Sequence, residues 1–297
     1  MKQLAIIGST ASGKSDLALA LAKTYNGIIL SIDSLSIYKK IDIASAKPSQ
    51  NERNEVIHFG IDVLSPESNA NVFTFIDEYH RALEYAKQHN KNLIIVGGSS
   101  FYLKSMLEGL SPIPDITDDT RHKAAELLLD IQAAHTFLAK VDPETMTKIH
   151  PTDRYRIEKM LLLFFQSETP PSEWFRLHPP SPVIRECPVL DLNIERNLLR
   201  NRIALRTQKM VASGLIDEVA ELERNFGRLP NSMKAIGIVE TFEFLDGKIS
   251  KKTLIDKIAT HTAQLAKRQQ TFNLHQFSLD ASGSSDHLEK ISDTLLQ

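Results

Sequence analysis

Short apolar runs rich in β-branched residues recur along the chain, each bounded by glycine or polar positions. Such runs predict buried parallel strands, here at residues 4–7, 27–32, 93–96 and 189–192. The stretches 16–23 and 72–89 between them predict helices, the second because its apolar residues repeat near the helical period. Alternation of strands and helices predicts a doubly wound α/β core with a parallel sheet.

The pattern changes after residue 110, where a segment rich in Pro and Asp precedes a leucine-rich helical texture. Helices are predicted at 124–131 and 154–165, and closely spaced prolines at 170–188 mark a return to the core. We therefore expect an α/β core formed by 1–110 and 186–297, with a helical insertion at 111–185. Later helices are predicted at 194–213, 215–225 and 255–272, and the polar stretch 281–286 is expected to be a surface linker.

Composition is that of an ordinary globular protein, with 42% hydrophobic and 24% charged residues in 297. The single Cys187 excludes an internal disulfide and a cysteine-based zinc site. The N-terminus leads directly into a strand, and no apolar run approaches membrane-spanning length. These features predict a cytoplasmic enzyme without a membrane segment.

Charge is unevenly distributed, although the net charge is only −2. Residues 196–276 carry 14 Lys and Arg against 8 Asp and Glu. Such a segment is typical of a polyanion-binding surface, but solvated helix faces give the same composition. Charge alone leaves both interpretations open.

A complete phosphate-binding loop follows the first predicted strand: Gly8-Ser-Thr-Ala-Ser-Gly-Lys14-Ser15. Its glycines allow backbone N–H groups to converge on an anion. The following helix adds the positive end of its dipole, and Lys14 adds a full charge. The loop predicts phosphate binding without separating a kinase, an NTPase or another phosphate-using transferase.

Two strand ends near this loop carry contrasting chemistry. Asp33 follows the second strand, where it could bind Mg²⁺, act as a general base or cap the next helix. The third strand ends in Gly97-Gly98, where an NTPase normally carries a metal-binding Asp. That absence disfavours an ATPase or a switch, and the glycines favour either close approach of a ligand or a tight turn.

Basic helices supply further candidates for anion contact. Arg154, Arg156 and Lys159 open one helix, and the run 266–272 ends another with two cations, amides and an aromatic residue. Arg200, Arg202 and Arg206 do not share one helical stripe, so at most some of them point to one site. Solvated helix faces remain the alternative for each cluster.

Taken in order, the motifs resemble the tRNA dimethylallyltransferase family of bacterial type, from about residue 4 to 272. The resemblance rests on the phosphate-binding loop and on seven later blocks: Asp33-Ser34 with Tyr38, Asp42-Ile-Ala-Ser-Ala-Lys47-Pro48, Val96-Gly-Gly-Ser with Phe101-Tyr102-Leu103, His150-Pro-Thr-Asp153 with Arg156, Gly214-Leu-Ile-Asp-Glu218-Val, Ala235-Ile-Gly237 and Ala266-Lys-Arg-Gln-Gln-Thr271.

The resemblance implies a P-loop NTPase-like core that transfers the dimethylallyl group of dimethylallyl diphosphate to N6 of the adenosine 3′ of the anticodon in tRNA. Asp33 would be the general base, and Thr10 and Arg202 would bind the bridging oxygen of the leaving diphosphate. Ser15 would help to hold Mg²⁺. The diphosphate-binding residues implied by the family are Gly8, Thr10, Ala11, Ser12, Gly13, Lys14 and Ser15.

The same resemblance implies that the helical insertion binds the anticodon stem-loop and that the protein acts as a monomer. The implied tRNA-binding residues are Asp33, Ser34, Leu35, Ser36, Ser99, Arg121, Tyr155, Arg156, Ile157, Glu158, Lys159, Lys234, Lys267, Arg268 and Gln269. Three alternatives stay open. The first is an adenylate isopentenyltransferase, which uses a free nucleotide as acceptor, and the second is a P-loop small-molecule kinase, which requires ATP. The third is a nonenzymatic RNA-binding protein that uses the phosphate-binding loop only structurally.

Overall fold

The structure is a computed structural model that describes residues 1–296. Its six strands are β1 (Gln3–Gly8), β2 (Gly27–Ser31), β3 (His58–Phe59), β4 (Asn92–Val96), β5 (Val189–Leu192) and β6 (Ala281–Gly283). They form one sheet in the order β3-β2-β4-β1-β5-β6, and every pair is parallel. The predicted α/β class and parallel sheet are confirmed.

The helices fall into two groups along the chain. The described chain divides into two compact units, 1–107 with 184–296 and 108–183. Helices that lie in the first unit, apart from the last residue of α4, are α1 (Lys14–Thr24), α2 (Gln50–Glu55), α3 (Val72–Gln88), α4 (Ser100–Glu108), α10 (Arg196–Ala212), α11 (Leu215–Phe226), α12 (Ile238–Leu245), α13 (Lys251–Gln276) and α14 (Ser285–Leu296). Those of the second are α5 (Asp118–Leu127), α6 (Ile131–Val141), α7 (Pro143–Met146), α8 (Arg154–Ser167) and α9 (Pro171–Leu177).

Successive side chains along the central strands are buried on opposite faces of the sheet. Leu4, Ile6 and Ile94 pack with Leu21 of α1 and Leu288 of α14 in one buried cluster. Because successive strand residues point to opposite faces, the intervening residues of β1, β2 and β4 face the other side, where α3 packs. Burial on both faces explains why these strands appear in the sequence as continuous apolar runs.

The unit formed by 108–183 has a core of its own. Leu128, Leu138, Ile157 and Leu161 are buried in one cluster that joins α5, α6 and α8. Asp142 caps α7 by accepting from the Thr145 N–H, and its other oxygen accepts from the Ser172 N–H. The boundaries of this unit differ by two or three residues from the insertion predicted at 111–185.

Two local predictions were wrong. The segment 281–286 is not a linker, because Ala281–Gly283 forms edge strand β6 beside β5, and α14 begins at Ser285. The helix predicted at 124–131 is two helices, since α5 ends at Leu127 and Asp130 caps α6 by accepting from the N–H groups of Gln132 and Ala133. An Asp at that position satisfies the free N–H groups of a new helix, which an apolar periodicity does not reveal.

Within residues 1–296, no helix is long and apolar enough to cross a membrane.

Candidate functional site

The phosphate-binding loop joins β1 to α1 in a conformation that requires glycine at both ends. Gly8 has φ 154°, and a Cβ there would lie 2.8 Å from the Leu192 carbonyl oxygen. Gly13 has φ 101° and immediately precedes α1, in the left-handed region that other residues avoid. The turn directs the first N–H groups of α1 into a cavity of about 930 Å³.

Lys14 lies inside this cavity at the start of α1. Its Nζ donates to the Ser9 carbonyl at 3.2 Å. Desolvation lowers the pKa of Lys14 to about 8, with Asp33 opposing the shift and Arg206 adding to it. The charged form of this lysine is disfavoured by its surroundings, so a bound anion would stabilise it strongly. The electrostatic arrangement therefore suits phosphate.

Gln269 of α13 connects the phosphate-binding loop to the end of β4. Its Oε1 accepts from the Thr10 N–H at 2.8 Å, and its Nε2 donates to the Gly98 carbonyl at 2.8 Å. Both ends of the amide are engaged, so its orientation is fixed. The sequence-based assignment of Gln269 to tRNA binding did not include this link.

Asp33 follows β2 and faces the same cavity. Its Oδ1 accepts from the N–H groups of Leu35 and Ser36, at 2.9 and 3.1 Å. Within residues 1–296, Oδ2 accepts no hydrogen bond. Oδ1 therefore stabilises the turn, and Oδ2 remains available to a substrate. The same carboxylate can hold the local backbone and take part in catalysis.

The two glycines at the end of β4 serve different contacts. A Cβ at Gly97 would lie 2.6 Å from the Ile32 carbonyl oxygen, so the strand end packs directly against backbone. A Cβ at Gly98 would lie 2.7 Å from Nε2 of Gln269 and 3.6 Å from Nζ of Lys14. Both glycines are therefore tightly packed, Gly97 against backbone and Gly98 against the Gln269 amide, and Gly98 also lies close to the Lys14 ammonium.

Two arginines of α10 reach the same cavity, although the family resemblance implies a role for only one of them. Arg202 donates from NH1 to the Ser12 carbonyl at 2.8 Å. Arg206, one turn later, also lines the cavity. Positions four apart share a helix face, so this spacing could have identified Arg206 as well as Arg202. Arg200 is exposed and does not line the cavity, as the spacing of the three arginines requires.

A loop around residues 41–48 forms another wall of the cavity and is held by charged side chains. The Glu218 carboxylate of α11 accepts from the N–H groups of residues 42, 43 and 44, at 2.7–2.9 Å. The Lys47 side chain is only 2% exposed and bonds the Tyr38 carbonyl, Asp42 and Asp62. These contacts explain, in structural terms, two of the motifs that carry the family resemblance.

Among the described residues there is no cluster of three or more His, Cys, Asp or Glu side chains able to hold a metal. Ser15 lines the cavity at the beginning of α1, and its hydroxyl makes no hydrogen bond within residues 1–296. Mg²⁺ commonly takes few protein ligands together with substrate phosphates and water. The available hydroxyl fits an ion held in that way.

Residues predicted to bind tRNA occur on several elements of the first unit. Ser34 donates its N–H to Ser99 Oγ at 3.0 Å, so the ends of β2 and β4 are joined beside Asp33. Lys234 lines the cavity. Lys267 and Arg268 are exposed on α13, one turn or less from Gln269.

Predicted tRNA-binding residues of the second unit differ in their accessibility. Ile157 is fully buried in the core of that unit, so its side chain cannot contact a nucleic acid, and its assignment is corrected. Tyr155 is 69% exposed, and the Lys159 ammonium lies 5.5 Å from its ring centroid. Arg156 bonds the Asp153 cap of α8 at 2.6 Å, while Arg121 is exposed on α5.

Comparison with known proteins gives a consistent result. The sequence model of the IPP transferase family matches residues 36–276. A tRNA dimethylallyltransferase of Sulfurimonas denitrificans is 53% identical over 296 residues, which cover 100% of this chain and 99% of the relative. A protein of the same name from Sulfurovum is 50% identical, covering 98% and 97% of the two chains.

Solved structures agree with the sequence comparison. The full-length tRNA isopentenylpyrophosphate transferase of Bacillus halodurans matches with a TM-score of 0.72 at 27% identity, over 99% of this chain and 96% of that one. A eukaryotic dimethylallyltransferase described as acting on tRNA matches with a TM-score of 0.80 at 26% identity, over 92% and 70%. This chain belongs to the IPP transferase family.

Proposed function

We propose that this protein transfers the dimethylallyl group of dimethylallyl diphosphate to N6 of the adenosine 3′ of the anticodon in tRNA. Relatives that share about half of its residues over almost the whole chain are tRNA dimethylallyltransferases. The observation that carries the proposal is the pairing, in one cavity, of a phosphate-binding loop with the available oxygen of Asp33. The same cavity therefore contains one group that can act on a nucleophile and others that can bind a leaving group.

The reaction is a displacement at carbon. N6 of adenosine attacks C1 of the allyl group, the bond between C1 and the bridging oxygen breaks, and diphosphate leaves. Asp33 Oδ2 accepts the N6 proton, a general-base role that typically contributes about 10²–10⁴-fold to the rate. Because Oδ1 is held by two backbone N–H groups, the carboxylate needs no reorientation as it accepts the proton.

The leaving diphosphate is received by cations and by the loop. Lys14 and the N–H groups at the start of α1 bind its phosphate oxygens, and the Thr10 hydroxyl and Arg202 stabilise the bridging oxygen as negative charge develops there. Arg202 is oriented by its bond to the Ser12 carbonyl. Mg²⁺, held by Ser15 and the diphosphate itself, would neutralise further charge on the leaving group.

The tRNA would present its adenosine extruded from the anticodon stack, as enzymes that modify a base require. The exposed cations Lys267 and Arg268 suit phosphate contacts on the first unit, and Arg121, Arg156 and Lys159 suit them on the second. A monomeric state and a cytoplasmic location stay predictions from the sequence.

The decisive experiment incubates the protein with unmodified tRNA and labelled dimethylallyl diphosphate without ATP. We expect label at N6 of adenosine in tRNA and release of diphosphate. Preference for AMP as acceptor would indicate the adenylate isopentenyltransferase, and a requirement for ATP would indicate the kinase. Either result, or unlabelled tRNA, contradicts the proposal.

Asp33→Asn provides the matched variant for the chemical step. Asparagine keeps an oxygen for the N–H groups of Leu35 and Ser36, so the turn survives while the basic oxygen is lost. We expect normal binding of both substrates with transfer reduced by about 10²–10⁴-fold. If the variant retains full transfer, Asp33 is not the base.

A further inference from the structure

Glu240 is a buried carboxylate in the first turn of α12, and both of its oxygens are engaged. Oε2 accepts from the Gly237 N–H at 2.7 Å, and Oε1 lies 2.5 Å from Nδ1 of His261 on α13. An ionised carboxylate can only accept hydrogen bonds, so Nδ1 carries a proton of the imidazole. Within residues 1–296, His261 is the only side chain that bonds Glu240.

The Gly237 N–H lies at the end of a segment that forms part of the catalytic cavity. Residues 234–236 line that cavity, and Gly237 follows them with φ 94°, where the chain turns into α12. Glu240 holds this turn by accepting from its N–H. Because a buried carboxylate depends on its partners, the position of the segment 234–236 depends on the bond between Glu240 and His261.

A neighbouring ion pair between the same two helices lacks this connection. Lys257 of α13, one turn before His261, lies 2.5 Å from Oε2 of Glu243 on α12. Within residues 1–296 the Glu243 side chain accepts from Lys257 alone and bonds no backbone group near the cavity. Both pairs join α12 to α13, but only the pair of His261 and Glu240 also holds the turn at Gly237.

The segment 234–236 lies at the end of the cavity that suits an acceptor better than the diphosphate. Lys234 is exposed while it lines the cavity, so it lies at the mouth, whereas Lys14 is enclosed at the beginning of α1. A nucleic acid that inserts one extruded base leaves its backbone at the mouth. The phosphate-binding loop and Arg202 hold the opposite substrate without any bond to α12.

We propose that His261 is a positioning residue for the tRNA acceptor. Through Glu240 and the Gly237 N–H, it fixes the segment 234–236 against the inserted nucleotide and the phosphates beside it. The inference rests on the proposed function, and it adds to that site a residue on the far side of α12 from the reacting atoms.

The test compares steady-state kinetics of the full chain and three variants with tRNA and dimethylallyl diphosphate. We expect H261A to raise the KM for tRNA by roughly tenfold, the order expected for loss of a hydrogen bond to a charged group. The kcat at saturating tRNA and the KM for dimethylallyl diphosphate should stay at the wild-type values. H261N should restore the KM, because asparagine Nδ2 is attached to Cγ as histidine Nδ1 is and can donate to Glu240.

K257A is the matched control, since it removes an ion pair of similar exposure between the same helices. We expect H261A and K257A to lower the melting temperature to a similar, small extent, with the KM for tRNA raised in H261A alone. A wild-type KM in H261A overturns the proposal. So does an equal rise in K257A, or a rise that H261N does not reverse, because helix packing rather than the bond to Glu240 would then be responsible.

A binding measurement separates this proposal from the proposed function. The affinity for tRNA, measured by fluorescence anisotropy without dimethylallyl diphosphate, should fall roughly tenfold in H261A and recover in H261N. A wild-type protein that binds tRNA in this way but transfers no dimethylallyl group would contradict the proposed function alone. Equal affinities of H261A and the wild type for tRNA would overturn the role of His261, whatever the activity.

Discussion

The lowered pKa of Lys14 predicts that diphosphate binding weakens on the alkaline side of neutrality. Only the ammonium form attracts phosphate, and desolvation lowers its pKa to about 8. The groups around it are Asp33 after β2, Arg202 and Arg206 on α10, Asp16 on α1 and the neutral Gln269 on α13. The arginines stay charged across this range, so Lys14 is the cation that changes.

The size of the effect follows from the titration of one group. About nine in ten Lys14 side chains are charged at pH 7 and about one in ten at pH 9, with a pKa one unit away from each. Affinity for the diphosphate should therefore fall about tenfold over this interval, equivalent to ~1.4 kcal/mol. The fall should steepen toward one decade per pH unit above the pKa.

The assay titrates dimethylallyl diphosphate into the protein at pH 7, 8 and 9 without tRNA. The ligand's terminal phosphate ionises near pH 6 as other phosphate monoesters do, so its charge is nearly constant over the range. Lys14→Arg is the control, because its guanidinium stays protonated over this range. The quantity compared between the two proteins is the pH dependence of the affinity, not the affinity itself. A flat wild-type profile, or an equally steep profile in the control, would refute the reasoning.

Three other substitutions address the loop, the tRNA surface and the cavity wall. Gln269→Glu should raise the KM for dimethylallyl diphosphate more than about tenfold and change tRNA affinity little, because the substitution removes a hydrogen-bond donor and adds negative charge beside the phosphates. Equal KM values for the variant and the wild type in steady-state assays would contradict this prediction. Lys267→Ala should reduce the salt slope of tRNA binding by about 1, and Lys251→Ala at the other end of the helix should not. Lys47→Met should lower the free energy of unfolding by about 2 kcal/mol, because the carboxylates of Asp42 and Asp62 lose the buried ammonium that they share. The control is Lys39→Met at an exposed position, and equal denaturant midpoints for the two variants would contradict this prediction.

The main architecture could be predicted because each core strand is buried on both faces. Residues 189–192 were predicted with the bounds that β5 has, and the phosphate-binding loop locates the end of β1 and the start of α1. Edge strand β6 could not be found in the same way, since its residues are Ala, Ser and Gly. Its pairing with β5 depends on tertiary position rather than on a local apolar signal.

Site residues that belong to one sequence motif could be predicted individually. Site residues that depend on contacts between segments distant in sequence were predicted less well. Asp33 and Lys14 follow strand ends, which topology brings together at one edge of the sheet. The sequence pattern does not single out Arg206, because Arg200, Arg202 and Arg206 together share no helical stripe, although Arg202 and Arg206 lie on one helix face. Ile157 was included with its neighbours in sequence, but the helical period turns its side chain into the core.

The packing of Gly97 limits which sequences this fold could evolve toward. A nucleotide hydrolase of this architecture needs a carboxylate at the end of the strand, yet any side chain at 97 would collide with the Ile32 carbonyl. At Gly98 the obstacle is the amide of Gln269, so an aspartate there would dislodge the residue that holds the Thr10 N–H. A metal-binding aspartate introduced by a single mutation would therefore clash with backbone at position 97 and displace the Gln269 amide at position 98.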